Sequence, residues 1–454
     1  MAYIKNKLIP AVAGLILIVA ASCNKIIDTP DVTNPNGAEL STVLTNASRT
    51  QLQQLATGTF SAMRTGYNTN PGNGTSSYES YCKVTGTLGR EVYVINSSET
   101  RWVNELAGLN GALDPGAFYN GYYFSFSNAR QTAAIFQLSA LNTNAINSQE
   151  KSGILGFTNT VIAFEMLHIL NMQGKNGIRV DMRDYLNPGP FVPYDSGLAV
   201  IRGLLDTASA QLQAAGSAFM FTCPPGFSGF DQPSTFLQFN RAIAARVALY
   251  QRDWQKALSA LNASYFDING ALSTGPVFNW GVAPDLLNPL YQPLGNAISV
   301  VANNAFVAEA EPGDARLNKV VQRSSALNLV GISGNYDVNL YSTNLTPVSI
   351  IRNEELILIY AECMIQLGQN SNAVQALNII RTKAGHLGNY AGQQTKDALI
   401  DELLKQRRYS LFYEGHRWID MRRYGRLTQL PIDQPGQTIF DAMPRPLAEL
   451  NWGK

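Results

Sequence analysis

Residues 353–383 read NEELILIYAECMIQLGQNSNAVQALNIIRTK. Tyr360, Ala361, Met364, Ile365 and Leu367 recur at three-and-four spacing. After Gly368-Gln369-Asn370 the same pattern resumes at Ala373, Leu377 and Ile380. The spacing predicts two antiparallel helices joined by a short polar turn, with Ala361, Ala373 and Ala376 small enough to let the axes approach closely. Gly385 is placed to stop the second helix. A third helix is predicted from near Thr395 to about Tyr424.

The pair has an echo upstream. Laid ungapped on residues 361–378, residues 245–262 match at Ala245, Ala257 and Ala260-Leu261-Asn262, with Leu249 and Leu258 opposite Ile365 and Val374. A recurring helix pair with a shared polar turn is how helical-repeat scaffolds are built, and this one is like a tetratricopeptide pair. Further helices are predicted over Ser41 to Arg64, Lys151 to Met172, Ser196 to Ala215, Phe239 to Tyr250 and Trp254 to Asn262. The aromatic cluster Phe118, Tyr119, Tyr122, Tyr123, Phe124 and Phe126 leads into another, where core packing is its expected role.

The most specific string is Arg407-Arg408-Tyr409-Ser410-Leu411-Phe412-Tyr413-Glu414-Gly415-His416-Arg417-Trp418-Ile419-Asp420-Met421-Arg422-Arg423. With Arg352-Asn353-Glu354-Glu355-Leu356, Tyr360-Ala361-Glu362, Asn378, Arg381 and Ala384-Gly385 before it, the sequence resembles the SusD/RagB family. Asp314-Ala315-Arg316 resembles that family's Asp-x-Arg turn, and Met443 to Asn451 its closing segment. The family string usually has a second acidic residue where Ser410 stands, Glu where Gln406 stands and Leu where Met421 stands. The expected consequence is weaker surface ion pairs. The resemblance implies a mostly α fold of tetratricopeptide-like helix pairs with long irregular excursions. It also implies a non-catalytic outer-membrane lipoprotein that captures a glycan for a TonB-dependent transporter.

On one continuous helix, Glu414 to Arg417, His416 to Asp420 and Asp420 to Arg423 are spaced to pair. Arg422, Arg423 and Arg426 would sit at the negative end of the helix dipole. Gly415 weakens a helix by roughly 1 kcal/mol against Ala, which points to a close neighbouring backbone. Glu414 and His416 are two residues apart and face different directions, with no third orienting group, so a structural network is expected there and not catalysis.

The chain opens with Lys5 and Lys7 before an apolar run from Leu8 to Ala21, which ends in Ala20-Ala21-Ser22-Cys23. That run is short for a membrane span and has the small residues of a lipoprotein leader, so residues 1–22 are read as a signal peptide. Acylation is then expected at Cys23, with 23–40 as a tether and 41–454 as one domain. An outer-membrane protein facing the cell exterior is the corresponding location.

Across 454 residues there are 34 Lys plus Arg and 33 Asp plus Glu, a balance that gives no electrostatic case for nucleic acid. Beyond Cys23 the cysteines are Cys82, Cys223 and Cys363, without metal-ligand spacing. Cys363 reads as a core thiol, and Cys82 and Cys223 could pair in an oxidising compartment. No metal or cofactor is expected. His168, lone among apolar residues, reads as a packed histidine.

Two stretches lack a helical period, 67–113 and 264–348, and both carry aromatics. Long irregular excursions in a domain are commonly binding elements. Sugar rings stack their C–H faces on aromatic rings, which makes Tyr78, Tyr81, Trp102, Trp280 and Tyr291 the candidate ligand contacts. Two other readings share this scaffold: the same transporter lid with peptide or another nutrient as cargo, and an envelope scaffold with no cargo.

Overall fold

The computed structural model describes residues 40–65, 77–181 and 188–452. The leader, Cys23, the tether and residues 67–76 of the first excursion lie outside them.

Helices dominate, in the order α1 (Leu40–Asn46), α2 (Arg49–Thr65), α3 (Ser77–Leu88), α4 (Arg101–Asn104), α5 (Gly121–Asn142), α6 (Ser148–Gln173), α7 (Tyr194–Gln213), α8 (Pro233–Tyr250), α9 (Trp254–Asn262), α10 (Asn304–Ala308), α11 (Asn353–Gln366), α12 (Asn370–Lys383), α13 (Lys396–Ser410), α14 (Arg417–Arg423) and α15 (Leu447–Leu450). Local chemistry fixes several starts. Asn147 and Glu150 close a reciprocal capping box on α6, at 2.9 and 3.0 Å. Pro233 opens α8, where a missing N–H is harmless. Asp253 caps α9 by accepting from the Lys256 amide at 3.2 Å.

Long helices pack on their sequence neighbours, α2 on α5, α5 on α6, α6 on α7, α7 on α8, α8 on α9, then α9 on α11 and α11 on α12 and α13. α6 sits at the centre, buried along nearly its whole length. It is the one helix among the described residues long and apolar enough to cross a membrane, and here it forms core.

The predicted echo is real at atomic level. In the turn after α8, the amides of Gln251, Arg252 and Asp253 donate to the carbonyls of Val247, Leu249 and Ala248. Their counterparts 116 residues on, Leu367, Gly368 and Gln369, donate to Cys363, Ile365 and Met364 in the same pattern. Arg252 at φ 58° takes the left-handed conformation that Gly368 takes at φ 73°. The paired alanines Ala245 and Ala361, Ala257 and Ala373, Ala260 and Ala376 are all buried.

The two irregular stretches differ from the sequence reading. The first contains α3 and a buried strand, β1 (Val92–Ile95). Two short pairs lie elsewhere: β2 (Ile178–Arg179) with β3 (Phe191–Val192), and β4 (Val277–Phe278) with β8 (Val348–Ser349). The second stretch supplies β5 (Ser299–Ala302), β6 (Val320–Leu329) and β7 (Ile332–Val338), and all three join β1 in one antiparallel sheet of order β1-β5-β7-β6. Register runs from Val92 opposite Ala302 to Val301 opposite Asp337. Two distant stretches are thus one sheet, whose Tyr93, Ile95, Val301 and Ile332 form a small second core with Val103 and Ala107.

The predicted third helix is also broken. It stops at Ser410, and α14 begins only at Arg417. Between them Tyr413 (φ 61°) and Gly415 (φ 85°) adopt left-handed backbone, which no continuous helix permits.

Candidate functional site

Around that break the signature residues converge in a buried network of ions. Arg423 donates from Nε to Asp420 at 2.9 Å and from Nη2 to Glu362 at 2.6 Å; the Arg407 Nε reaches the other Asp420 oxygen at 2.6 Å. Tyr424 donates its hydroxyl to Glu362 at 2.7 Å. Arg246 of α8 clasps Glu355 with two bonds of 2.6 Å, and Arg381 joins Glu402 at 2.6 Å and Glu311 at 2.7 Å. Arg352 holds Glu354 at 2.8 Å and also pairs with Glu414. Apart from Arg423–Asp420 within α14, Arg352–Glu354 at the start of α11 and Arg381–Glu311, which reaches a loop, these bonds tie one helix to another or to the break between α13 and α14.

Of the spacings proposed for a continuous helix, Asp420 to Arg423 is made. Glu414 is turned away from Arg417 and onto Arg352, and His416 supplies its carbonyl to the Asp420 amide while its ring lies 3.7 Å from Glu355. Burial pushes the His416 imidazole down to about 4 against the pull of Glu355. Burial opposes the Glu355 charge, but Arg246 and His416 outweigh it and hold that carboxyl at about 2. Gly415 faces a ring and not a backbone: a Cβ there would lie 2.2 Å from Cε1 of Tyr81.

The departures Gln406 and Ser410 are not at the surface. Both are fully buried, and Arg316 donates to the Gln406 Oε1 at 2.7 Å and the Ser410 Oγ at 3.1 Å. Arg316 also forks onto Asp314 at 2.9 and 2.7 Å, the structural role read for the Asp-x-Arg turn. At this junction neutral partners serve where two carboxylates are usual, with one carboxylate left to match one guanidinium.

His168 is a packed histidine. It stacks on Phe126 at 5.0 Å, meets Tyr81 edge-on at 4.7 Å, and its Nδ1 lies 2.8 Å from the Phe164 carbonyl. Burial pushes it down to about 3. The thiols of Cys82, Cys223 and Cys363 are all free, so Cys82 and Cys223 are unpaired, and Cys363 is buried on α11 as a core thiol.

The five candidate aromatics are separated by the fold. Tyr78 and Tyr81 lie on α3 at 5% and 3% exposure, against His168, Phe278 and Phe126. Trp102 is 1% exposed beneath Phe118. These three rings present no free face, because the stretch they occupy is helix and sheet packed on α5 and α6. Trp280 and Tyr291 belong to one loop, 279–298, where Tyr291 is half-buried and Trp280, 8% exposed, is buried with the Arg64 guanidinium 5.0 Å from its ring centre.

This loop is held firmly. Arg64 binds Asp285 and, at 2.5 Å, the Asn279 carbonyl. Buried Asn288 donates to the Thr346 carbonyl at 2.8 Å and accepts from the Leu290 amide at 2.8 Å. Gly295 donates to Asp337 at 2.7 Å. On this fixed backbone Val282, Leu286, Leu287, Leu294 and Ile298 stand exposed, Val282 at 69%. A braced loop with uncovered apolar side chains is a surface suited to contact. The sequence reading missed these aliphatic residues because it weighed only aromatics.

Beside the network lies a cavity of about 360 Å³, lined among others by Lys319, Tyr341, Arg352, Glu354, His386 and Glu414. Among the described residues no cluster of three His, Cys, Asp or Glu side chains is placed to hold a metal.

The fold and network define a helical body locked by buried ion pairs, with loop 279–298 at its surface. A model of the SusD family matches residues 313–449. A SusD-like protein from Formosa agariphila, P38, is 31% identical over 107 residues, 22% of this chain and 21% of that protein, so the match spans about a fifth of that relative's length. The fold is similar to a SusD superfamily protein from Bacteroides vulgatus (TM-score 0.66, 15% identity, 89% of this chain and 97% of that one). It is also similar to surface glycan-binding protein A from Bacteroides thetaiotaomicron in complex with laminarihexaose (TM-score 0.65, 12% identity, 89% and 98%). Surface glycan-binding protein A from Bacteroides fluxus is alike to the same degree (TM-score 0.66, 14% identity, 90% and 97%). The chain thus resembles the SusD family in sequence over residues 313–449 and is similar to SusD superfamily structures in fold.

Proposed function

We propose that this protein is a non-catalytic glycan-binding lipoprotein of the cell surface, which captures an oligosaccharide or polysaccharide and passes it to a TonB-dependent outer-membrane transporter. The observation that carries the reading is the likeness over nearly the whole chain to surface glycan-binding proteins, one of them holding laminarihexaose. The leader and Cys23 support acylation and an outward-facing outer-membrane location, with the membrane reached through the lipid anchor.

Glycan contact is proposed on loop 279–298 through Tyr291, with buried Trp280 packed behind the loop as its support. A half-buried tyrosine on a braced loop offers a ring at low entropic loss. Tyr78, Tyr81 and Trp102 act in this proposal as core packing and not as ligand contacts. With no charge excess, with His168 and His416 buried and neutral, and with no cofactor invoked, binding without chemistry is the simplest use of the surface.

Isothermal titration of the protein against neutral glycans, β-linked glucan oligosaccharides included, with peptides as the counter-panel, tests the proposal. Saturable binding to a glycan is expected. Binding to peptides alone, or to neither panel, would overturn glycan capture as stated.

A further inference from the structure

The cavity beside the signature contains an amine with an unusual set of partners. Lys319 ends the short 3-10 turn Ala315–Lys319. Its Nζ donates to the Tyr409 carbonyl at 2.8 Å and the Ser410 carbonyl at 2.7 Å, both at the end of α13. Among the described residues no carboxylate stands within 4.0 Å of it. An ammonium has three hydrogens and a neutral amine has two. Two carbonyl acceptors satisfy the neutral amine in full and leave its remaining tetrahedral position free for a lone pair.

The other charged groups around the crevice are already committed. Arg316 is shared among Asp314, Gln406 and Ser410. Arg352 bridges Glu354, Glu414 and the Ser410 carbonyl. Glu354 and Glu414 therefore spend their charge on Arg352, and their presence on the wall disfavours an anionic ligand. His386 stands at the rim with Asn318 and Pro347, all exposed, so the crevice is reached from solvent. Burial pushes the Lys319 amine down to about 8 against the pull of Glu354 and Glu414, with Arg352 and Arg316 acting in the same direction as burial.

We propose that Lys319 is a carbonyl-reactive amine, a site where a small neutral aldehyde entering the crevice, including the open-chain reducing end of a sugar, condenses with Nζ. The amine lone pair attacks the carbonyl carbon and the carbonyl π pair moves to oxygen. A proton passes from nitrogen to that oxygen, and loss of water leaves a C=N bond, with no oxidant or reductant consumed. The inference is independent of the glycan reading, because it rests on the crevice and not on loop 279–298.

The test uses the full chain, limiting glyceraldehyde and cyanoborohydride at pH 7.5, followed by peptide mass mapping. Reduced adduct on the Lys319 peptide is expected to form at least about tenfold faster than on exposed Lys175 and Lys256, which pair with Asp441 and Asp253, since each unit by which an amine is lowered raises its neutral fraction about tenfold. Its rate should rise with pH through a midpoint near 8, and Lys319→Arg should abolish that adduct while leaving the others. Modification of Lys319 no faster than Lys175, or a rate still rising steeply between pH 9 and 10, would overturn it.

Discussion

The α13–α14 break and loop 279–298 are both irregular segments fixed by polar contacts, but they spend those contacts differently. At the break, charges are buried: Arg407 and Glu362 are 2% and 0% exposed, and each guanidinium needs a particular carboxylate at a particular place. In the loop, polar groups brace the backbone while the outward side chains are aliphatic and uncovered. The first arrangement constrains residue identity; the second constrains only shape. A family can therefore share the break and vary the loop, which is the division expected between a common body and a changing cargo.

The largest effect should come from leaving a buried charge alone. Arg423→Met removes the Nε and Nη bonds to Asp420 and Glu362. A loss of about 3–5 kcal/mol is expected in urea unfolding. A loss under 1 kcal/mol would mean that the network positions nothing.

Gly415→Ala forces a Cβ onto a residue at φ 85° and against Tyr81. The expected loss is about 2–4 kcal/mol, the sum of left-handed strain and overpacking. Calorimetry on this variant beside Gly295→Ala, also at positive φ but with open space around it, separates the two causes, the second variant losing about 1–2 kcal/mol.

A pH test sharpens the burial argument. Glu91 is 1% exposed, and burial pushes its carboxyl up to about 8 against Arg417. The folded state then binds the extra proton between the unfolded value near 4.3 and about 8, so this group's stabilisation is present at low pH and lost as pH rises through that window. Glu91→Gln, fixed in the neutral form, should gain stability relative to the native protein at pH 8, by up to about 1.4 kcal/mol for each unit by which the carboxyl is raised, and little at pH 4.5. Equal effects at the two pH values would contradict the assignment. Smallest of all, Leu286→Ser with Leu287→Ser should move stability by no more than about 0.5 kcal/mol, since both side chains are about half exposed at the surface.

The helices were legible because their apolar period is strong, and the echo at 245–262 even identified a turn whose hydrogen bonds repeat. α3 was not. Its polar residues Thr85 and Thr87 are buried by donating to the carbonyls of Tyr81 and Lys83, at 2.6 and 2.8 Å, so the sequence shows no polar face to alternate with an apolar one. Strand β1 is buried on both sides and shows no alternation either. The break at Tyr413 and Gly415 was hidden because a lone glycine inside a helical pattern is compatible with either a tolerated defect or a stop. Site residues divided the same way: Asp314 and Arg316 could be assigned to structure from the motif, whereas the half-buried setting of Tyr291 and the burial of Trp102 depend on the sheet that joins two distant stretches.

The measurement that bears most directly on the account is titration of Tyr291→Ala, alone and with Trp280→Leu, against the glycan that binds the native protein, with melting temperature recorded beside each isotherm. The account predicts at least a tenfold loss of affinity with Tyr291→Ala, a larger loss for the pair, and a melting temperature within a few degrees of native. Unchanged affinity in a folded double variant would contradict loop 279–298 as the place where cargo is held.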